Sequence, residues 1–347
     1  MKKFQVTIKA SGKQFTVNQG ESVLAAALRQ GVMLPYSCKN GTCGSCKGII
    51  ESGEVHYPFH PPLALGRPEI ADGYGLMCQA EPMEDLEIDV REIEAVRDIA
   101  VRMFPARVTG KTLLAPDVVK LSLRMPRSQR LQFLAGQYLD VLLPGGKRRA
   151  FSIASPPQCE DEIELHIRHV DGGDFTGFVF DELKVKDILR LEGPLGNFFI
   201  RHDRPEKPMI LMGGGTGFAP LKSMVEDLLA MEDRRPLHLF WGAQNERDLY
   251  MQDLPEAWAA ENEHIRFTGA VAEAGGQNGL FHGFVHEAVI DRYPDLSPYD
   301  VYMSGPPAMI DAARAEFFRH GLSERFLYYD SFEFGLDVPV RILAKPH

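Results

Sequence analysis

Cysteine is scarce in this chain of 347 residues: there are five. That is too few, and odd in number, for a disulfide scaffold, and it points to thiols acting as ligands in a reducing compartment. No apolar run approaches the length of a membrane span, and the opening MKKFQVTIKASGK has lysines with no apolar segment behind them. Neither a membrane protein nor a signal peptide is expected, and the sequence predicts a cytoplasmic protein. Basic charge is also short. Lys and Arg number 38 against 48 Asp and Glu, a net charge of −10, which repels phosphate backbones and anionic lipid and argues against nucleic acid or membrane partners. Repeats and low-complexity tracts are missing too. What is present, 44% hydrophobic and 25% charged residues, suffices for two or three globular domains, each with its own core.

Three of the five cysteines fall in YSCKNGTCGSCKG, residues 36–48. A disulfide, a zinc ion and an iron–sulfur cluster compete to explain them. The spacing C-x4-C-x2-C at Cys38, Cys43 and Cys46, with Cys78 following in GLMCQAE, is the plant-type [2Fe–2S] pattern, in which three ligands share a loop and the fourth comes from a separate segment. Gly41 and Gly44 would let the backbone wrap closely around a cluster and aim amide N–H groups at its sulfurs. Structural zinc more usually shows paired C-x2-C knuckles, and only one such pair exists here. Cys159, in the polar turn PPQCEDE, reads as a free thiol. FQVTI and KQFTV read as a strand pair, ESVLAAALRQG as a helix and LEIDV as a closing strand, which is a β-grasp order. The acidic residues of EPMEDLEIDVRE alternate with apolar ones and read as the wet side of a strand.

The polar stretch REIEAVRDIAVR suits a linker over 93–102, separating a first domain, 1–92, from the rest. From 103 to 204, the strands RVTGKTL, VVKLSLRM, YLDVLL and EIELHIRHV, broken by glycine and proline turns, predict a small antiparallel barrel. Within it, RRAFSIAS offers Arg149 as a cation for a phosphate, Phe151 as a face for a flat ring and Ser152 as a hydroxyl for a ring edge. Gly172, Gly173 and Thr176 would let a second backbone segment approach a pyrophosphate. Each signal alone is weak, and a strand with one buried phenyl ring would explain the first as well.

Over 205–347, PMILMGGGTGFAPLKSMVEDLLAM runs from an apolar strand through Gly213–Gly217 into an amphipathic helix, a ready anion site for a dinucleotide pyrophosphate. It is not G-x-G-x-x-G, and no acidic residue ends the following strand, LHLFWGAQ, so the lineage differs from the usual dinucleotide fingerprint. DVYMSGPPAMIDAARAEF again passes from strand to turn to helix, placing Ser304, Gly305 and Met309 at the carboxyl edge of a parallel sheet, where ligands bind.

R-x-F-S, GGTGFAP, SGPPAM and the C-terminal YYDSFEF resemble the ferredoxin–NADP reductase superfamily, and the N-terminal cysteine loop places the resemblance in its ferredoxin-fused branch. It covers the whole chain. Within that branch, LAGQY, FDELK, EGPLGNFF, GFVHEAV and AMIDAAR resemble the reductases of 3,6-dideoxysugar biosynthesis. The resemblance implies a multidomain fold: a β-grasp [2Fe–2S] ferredoxin (α+β), an antiparallel β-barrel flavin domain, and an α/β parallel-sheet nicotinamide-dinucleotide domain. It assigns Cys38, Cys43, Cys46 and Cys78 to the cluster, and Arg149, Phe151, Ser152, Gly173 and Thr176 to FAD. Gly214, Thr216, Gly217, Gly305 and Met309 go to the dinucleotide, and Phe332 lies by the flavin. Ser304, Ser152 and Phe332 thereby become the catalytic candidates. Two departures from the family pattern are Phe151, where tyrosine is usual, and Ser304, where a cysteine beside the nicotinamide is usual.

Nicotinamide gives up two electrons together and a [2Fe–2S] cluster takes one, so a flavin must stand between them. The sequence therefore predicts an electron-transfer reductase passing electrons from NADH through FAD and the cluster to a partner enzyme. The dehydrase of CDP-3,6-dideoxyhexose formation is the first expectation for that partner, and a mono- or dioxygenase component is the alternative. A cluster-bearing sensing or binding module with little turnover is the reading of another class, to which Ser304 is the only pointer.

Overall fold

The computed structural model describes residues 2–36, 39–58, 62–90, 92, 99–126, 131–159, 162–273 and 279–332. The chain divides into two compact units, Met1–Ala100 and Val101–His347. Residues 93–98 of the expected linker lie outside the described residues.

In the first unit, β1 (Lys3–Ile8) and β2 (Gln14–Asn18) form a hairpin whose alternation turns Phe4, Val6, Ile8, Phe15 and Val17 inward. The helix α1 (Val23–Arg29) starts at Ser22, whose hydroxyl accepts the Ala25 N–H at 3.2 Å, a side-chain N-cap. It buries Val23, Leu24, Ala26 and Ala27. There follow β3 (Lys47–Ser52), β4 (Val55–His56), α2 (Arg67–Ala71), β5 (Tyr74–Leu76), β6 (Glu81–Pro82) and β7 (Leu86–Asp89). The sheet order is β2-β1-β7-β3-β5, with β1 and β7 parallel, the β-grasp arrangement the strand and helix order predicts.

The second unit opens with β8 (Arg102–Ala115), β9 (Val118–Arg124), β10 (Tyr138–Leu142), β11 (Arg148–Ser152), β12 (Ile163–Arg168), α3 (Asp174–Asp181) and β13 (Ile188–Leu195). The strands form one antiparallel sheet in the order β11-β10-β13-β8-β9-β12. A bridge between Ile153 and Leu165, with the Ala154 N–H on Glu164 O at 2.8 Å, joins the two outer strands and closes the barrel. Its interior holds Val108, Leu121, Leu139, Leu165 and Leu191, none of them exposed.

The chain then lays down β14 (Met209–Gly214), α4 (Phe218–Ala230), β15 (Leu237–Ala243), α5 (Asp253–Glu261), β16 (Ile265–Val271), β17 (Phe281–His282), α6 (Val285–Arg292), β18 (Asp300–Gly305), α7 (Pro307–Arg319) and β19 (Leu327–Ser331). All pairings are parallel, in the order β17-β16-β15-β14-β18-β19. Every residue of β14 and β18 is buried, as expected of central strands covered on both faces. The order reverses between β14 and β18, and their register pairs Gly213 with Ser304. A crevice at such a reversal, beyond the carboxyl ends of the strands, is where open α/β sheets bind ligands. Among the described residues no helix is long and apolar enough to cross a membrane.

Candidate active site

The crevice between β14 and β18 is shaped by close approaches at three glycines, of which the one at Gly217 is against backbone and leaves no room for a Cβ. A Cβ on Gly217 would fall 2.0 Å from the Ser304 carbonyl oxygen, and one on Gly214 would fall 2.5 Å from Met309 Sδ. Gly305 has φ +148, and a Cβ there would meet Met309 Cε at 2.9 Å. Gly214, Gly217, Gly305 and Met309 therefore meet at one point, with the half-buried Thr216 on the turn entering α4. The first turn of α4 carries no acidic residue, so the positive end of the helix stays open to an anion. Beneath the loop, the Trp241 indole N–H donates to Gly215 O at 2.9 Å and its ring stacks on Phe218 at 3.9 Å.

The barrel brings its residues to the same crevice. Ser152, at the end of β11, is buried, and its hydroxyl lies 3.4 Å from Asp330 Oδ2 on β19. Asp330 is in turn the register partner of Ser304. The Ser304 hydroxyl is buried and has no hydrogen-bond partner among the described residues, an orphaned polar atom at the point where a ligand would supply one. The Phe332 N–H donates to Gly305 O at 2.9 Å, holding the chain after β19 against the same turn. Ser152, Ser304 and Phe332 are thus gathered. Asp330 belongs with them and was missed, although YYDSFEF contains it: its contact with Ser152 spans 178 residues.

Phe151 is half-buried, packed on one side against Phe175 of α3 at 5.5 Å between ring centroids. Arg149, half-buried on the same strand, donates to Arg148 O at 2.8 Å. Gly172 has φ +74, and Gly173 caps α3. The Thr176 hydroxyl lies 3.1 Å from the Val170 N–H and 3.2 Å from Val170 O and Gly173 O, so it braces the turn before α3. A second residue that sequence reasoning left as plain strand is Arg168. Its Nη1 pairs with Asp117 at 2.8 Å, while Nη2 is buried with no partner among the described residues, 3.5 Å from where a Cβ on Gly215 would stand. An unpaired guanidinium nitrogen beside the glycine loop suits a phosphate oxygen.

In the first unit, Cys43, Cys46 and Cys78 are buried, and Cys38 lies outside the described residues. Gly41 and Gly44 adopt φ +84 and +77, the left-handed conformation that the loop reading required. The Ser45 N–H donates to Cys43 Sγ at 3.5 Å, with the Ser45 hydroxyl 3.4 Å from the same sulfur, which favours a thiolate ligand. Gln79 ties the Cys78 segment to the loop by donating to Lys39 O at 3.1 Å. Cys159 is an exposed free thiol, as expected.

Residues 6–83 match the 2Fe-2S iron-sulfur cluster binding domain family, residues 105–200 the oxidoreductase FAD-binding domain family, and residues 211–315 the oxidoreductase NAD-binding domain family. A CDP-6-deoxy-L-threo-D-glycero-4-hexulose-3-dehydrase reductase of Yersinia pestis is 39% identical over 327 residues, 94% of this chain and 98% of the relative. The chain belongs to the ferredoxin-fused flavoprotein reductases of the ferredoxin–NADP reductase superfamily. The reductase component of a Pseudomonas phenol 2-monooxygenase is 38% identical, covering 95% of this chain and 94% of that protein. The crystal structure of an Amycolatopsis cytochrome P450 reductase superposes with TM-score 0.78 at 33% identity, covering 95% and 98% of the two chains.

The reductase thus carries an iron–sulfur domain, an FAD-binding domain and an NAD-binding domain. The residues present fit all three groups: glycines with left-handed φ and an amide on a cysteine sulfur for the cluster, a half-covered phenyl face and a buried hydroxyl for the flavin, and an orphaned hydroxyl under a glycine loop for the nicotinamide.

Proposed function

We propose that this reductase oxidises NADH and delivers the electrons, one at a time, through its ferredoxin domain to the dehydrase that removes the C3 hydroxyl of a CDP-4-keto-6-deoxyhexose. The observation that carries the electron-transfer part is the meeting of barrel strand β11 with the β14/β18 crevice, where Ser152, Asp330 and Ser304 cluster. Bound FAD would accept an electron pair from the dinucleotide and release electrons singly to the cluster. Arg149, Phe151, Ser152, Gly173 and Thr176 shape the flavin site. Gly214, Thr216, Gly217, Gly305 and Met309 hold the dinucleotide, with Arg168 facing its pyrophosphate. Ser304 and Phe332 line the point of transfer. Cys38, Cys43, Cys46 and Cys78 ligate the cluster. The module boundaries follow as 1–92, 103–204 and 205–347, and the scarce cysteines suit the cytoplasm.

Resemblance along nearly the whole chain to dehydrase reductases supports the acceptor. The almost equal identity to a phenol monooxygenase reductase component favours a second reading, in which an oxygenase component is the acceptor. Reconstitution decides. With purified dehydrase and its keto-sugar substrate, NADH consumption should depend on the reductase. Turnover of an oxygenase component with none of the dehydrase would overturn the acceptor and keep the electron path.

A further inference from the structure

The barrel and the dinucleotide domain meet along a polar stripe of which the functional reading uses only Arg168. On β12, Glu164, His166 and Arg168 share one face by the two-residue period of a strand, while Leu165 and Ile167 fill the barrel. His166 Nε2 lies 2.7 Å from Glu164 Oε1 and Nδ1 lies 2.9 Å from the Tyr250 hydroxyl. The carboxylate requires the proton on Nε2, so Nδ1 accepts from Tyr250.

At the centre of the stripe is a buried lysine. Lys222, in α4, is 6% exposed, with its ammonium 2.9 Å from Glu226 and 3.5 Å from Glu164. It also donates to Ala154 O at 3.3 Å, and the neighbouring Ser223 hydroxyl donates to Ser155 O at 2.8 Å. Ala154 and Ser155 directly follow the barrel-closing Ile153 and stand two and three residues past Ser152. α4 directly follows the glycine loop, with Gly217 as its N-cap. Two adjacent side chains therefore fasten the helix that carries the dinucleotide loop to the strand that carries the flavin-site serine. Ala154 and Ser155 are held from the other side as well, the Glu164 N–H reaching Ser155 Oγ at 3.1 Å. Burying an ammonium between two carboxylates is a poor way to stabilise a fold. It is a good way to fix a register between two domains.

We propose that Lys222, with Ser223, is a positioning residue for electron transfer between dinucleotide and flavin: it sets how closely the glycine loop approaches β11. The proposal rests on the electron-transfer reading above. The test uses the full FAD-loaded protein and the double variant K222M/E226Q, which removes the tether to Ala154 while keeping the net charge of the cluster. Melting temperature and the NAD+ dissociation constant from calorimetry should stay near wild type, the latter within about threefold. The rate of anaerobic flavin bleaching at saturating NADH should fall about tenfold or more, because small misplacements of reacting groups are costly. A bleaching rate at the wild-type level in this variant would reduce Lys222 to a counter-ion and overturn the proposal. Should the double variant lose FAD, S223A decides, since it changes no charge. A lower saturating rate with an unchanged dissociation constant supports the tether, and an unchanged rate overturns it. Wild-type protein that NADH fails to bleach would count against the electron-transfer reading itself.

Discussion

The Ser152 hydroxyl and the Asp330 carboxylate, 3.4 Å apart, join the barrel to the last strand of the parallel sheet at the point where the dinucleotide crevice opens. A buried carboxylate there can hold a proton or orient the serine toward a ring edge. Replacing Asp330 with Asn keeps the shape and removes the charge. FAD should remain bound, and anaerobic flavin reduction by saturating NADH should slow by about tenfold or more. Stopped-flow absorbance measures this, and an unchanged rate would remove Asp330 from the mechanism.

Cys43 is buried mid-loop, with the Ser45 amide on its sulfur. In Cys43→Ser, iron content should drop while FAD is retained. Reduction of ferricyanide, which can take electrons from the flavin directly, should survive, and reduction of cytochrome c should collapse. Equal loss of both activities with FAD in place would contradict the order of carriers.

NADH should be preferred to NADPH. Arg247, the first cation after β15 in the sequence, is largely exposed and faces Asp248 at 3.9 Å. The same sheet edge also holds a carboxylate: Gln244 donates to Glu273 at 3.1 Å, so a 2′-phosphate would meet negative charge there. The NADH to NADPH ratio of kcat/KM should be about tenfold or more, and Glu273→Arg should narrow it. A wild-type ratio below one would refute the assignment.

Buried neutral histidines should make the second unit acid-sensitive. His238, stacked on Phe240 and bonded to Tyr293 and Thr268, is pushed by burial from its ordinary 6.5 to about 3. Burial lowers His166 as well, against the opposing pull of Glu164. Between 6.5 and the lowered value the unfolded chain binds protons that the native state does not. Stability is therefore fully present above pH 6.5 and declines as pH falls toward 3, by up to about 1.4 kcal/mol per pH unit for each such group. Melting temperatures between pH 7 and pH 4 should fall, and less steeply in His238→Gln. An identical slope in that variant would show that other groups dominate.

Much of this architecture is legible in local pattern. The alternation around Phe4, Val6 and Ile8, the unbroken apolar run Met209–Met212 and the glycine loop before α4 each follow from backbone geometry and burial within a few residues. The cysteine loop was equally readable, because Gly41 and Gly44 announce the left-handed turns they adopt. What escaped depends on contacts between distant segments. Asp330 gains meaning only beside Ser152, and Arg168 only beside Gly215. The carboxylate beside Gln244 comes from Glu273, after β16, and not from the end of β15, where the sequence pattern holds no acidic residue. Thr176 reads as a ligand contact in the motif, yet its hydroxyl is already engaged by Val170 and Gly173.

The aromatic stack beneath the glycine loop gives the protein a built-in optical reporter. The chain contains two tryptophans, and both pack on Phe218, the first residue of α4: Trp241 at 3.9 Å and Trp258 at 6.3 Å. Intrinsic indole emission therefore arises from one neighbourhood, directly under the Gly215 carbonyl that Trp241 holds. A dinucleotide settling into the loop, or the loop coming loose, can be followed by unlabelled fluorescence without a signal from the ferredoxin domain.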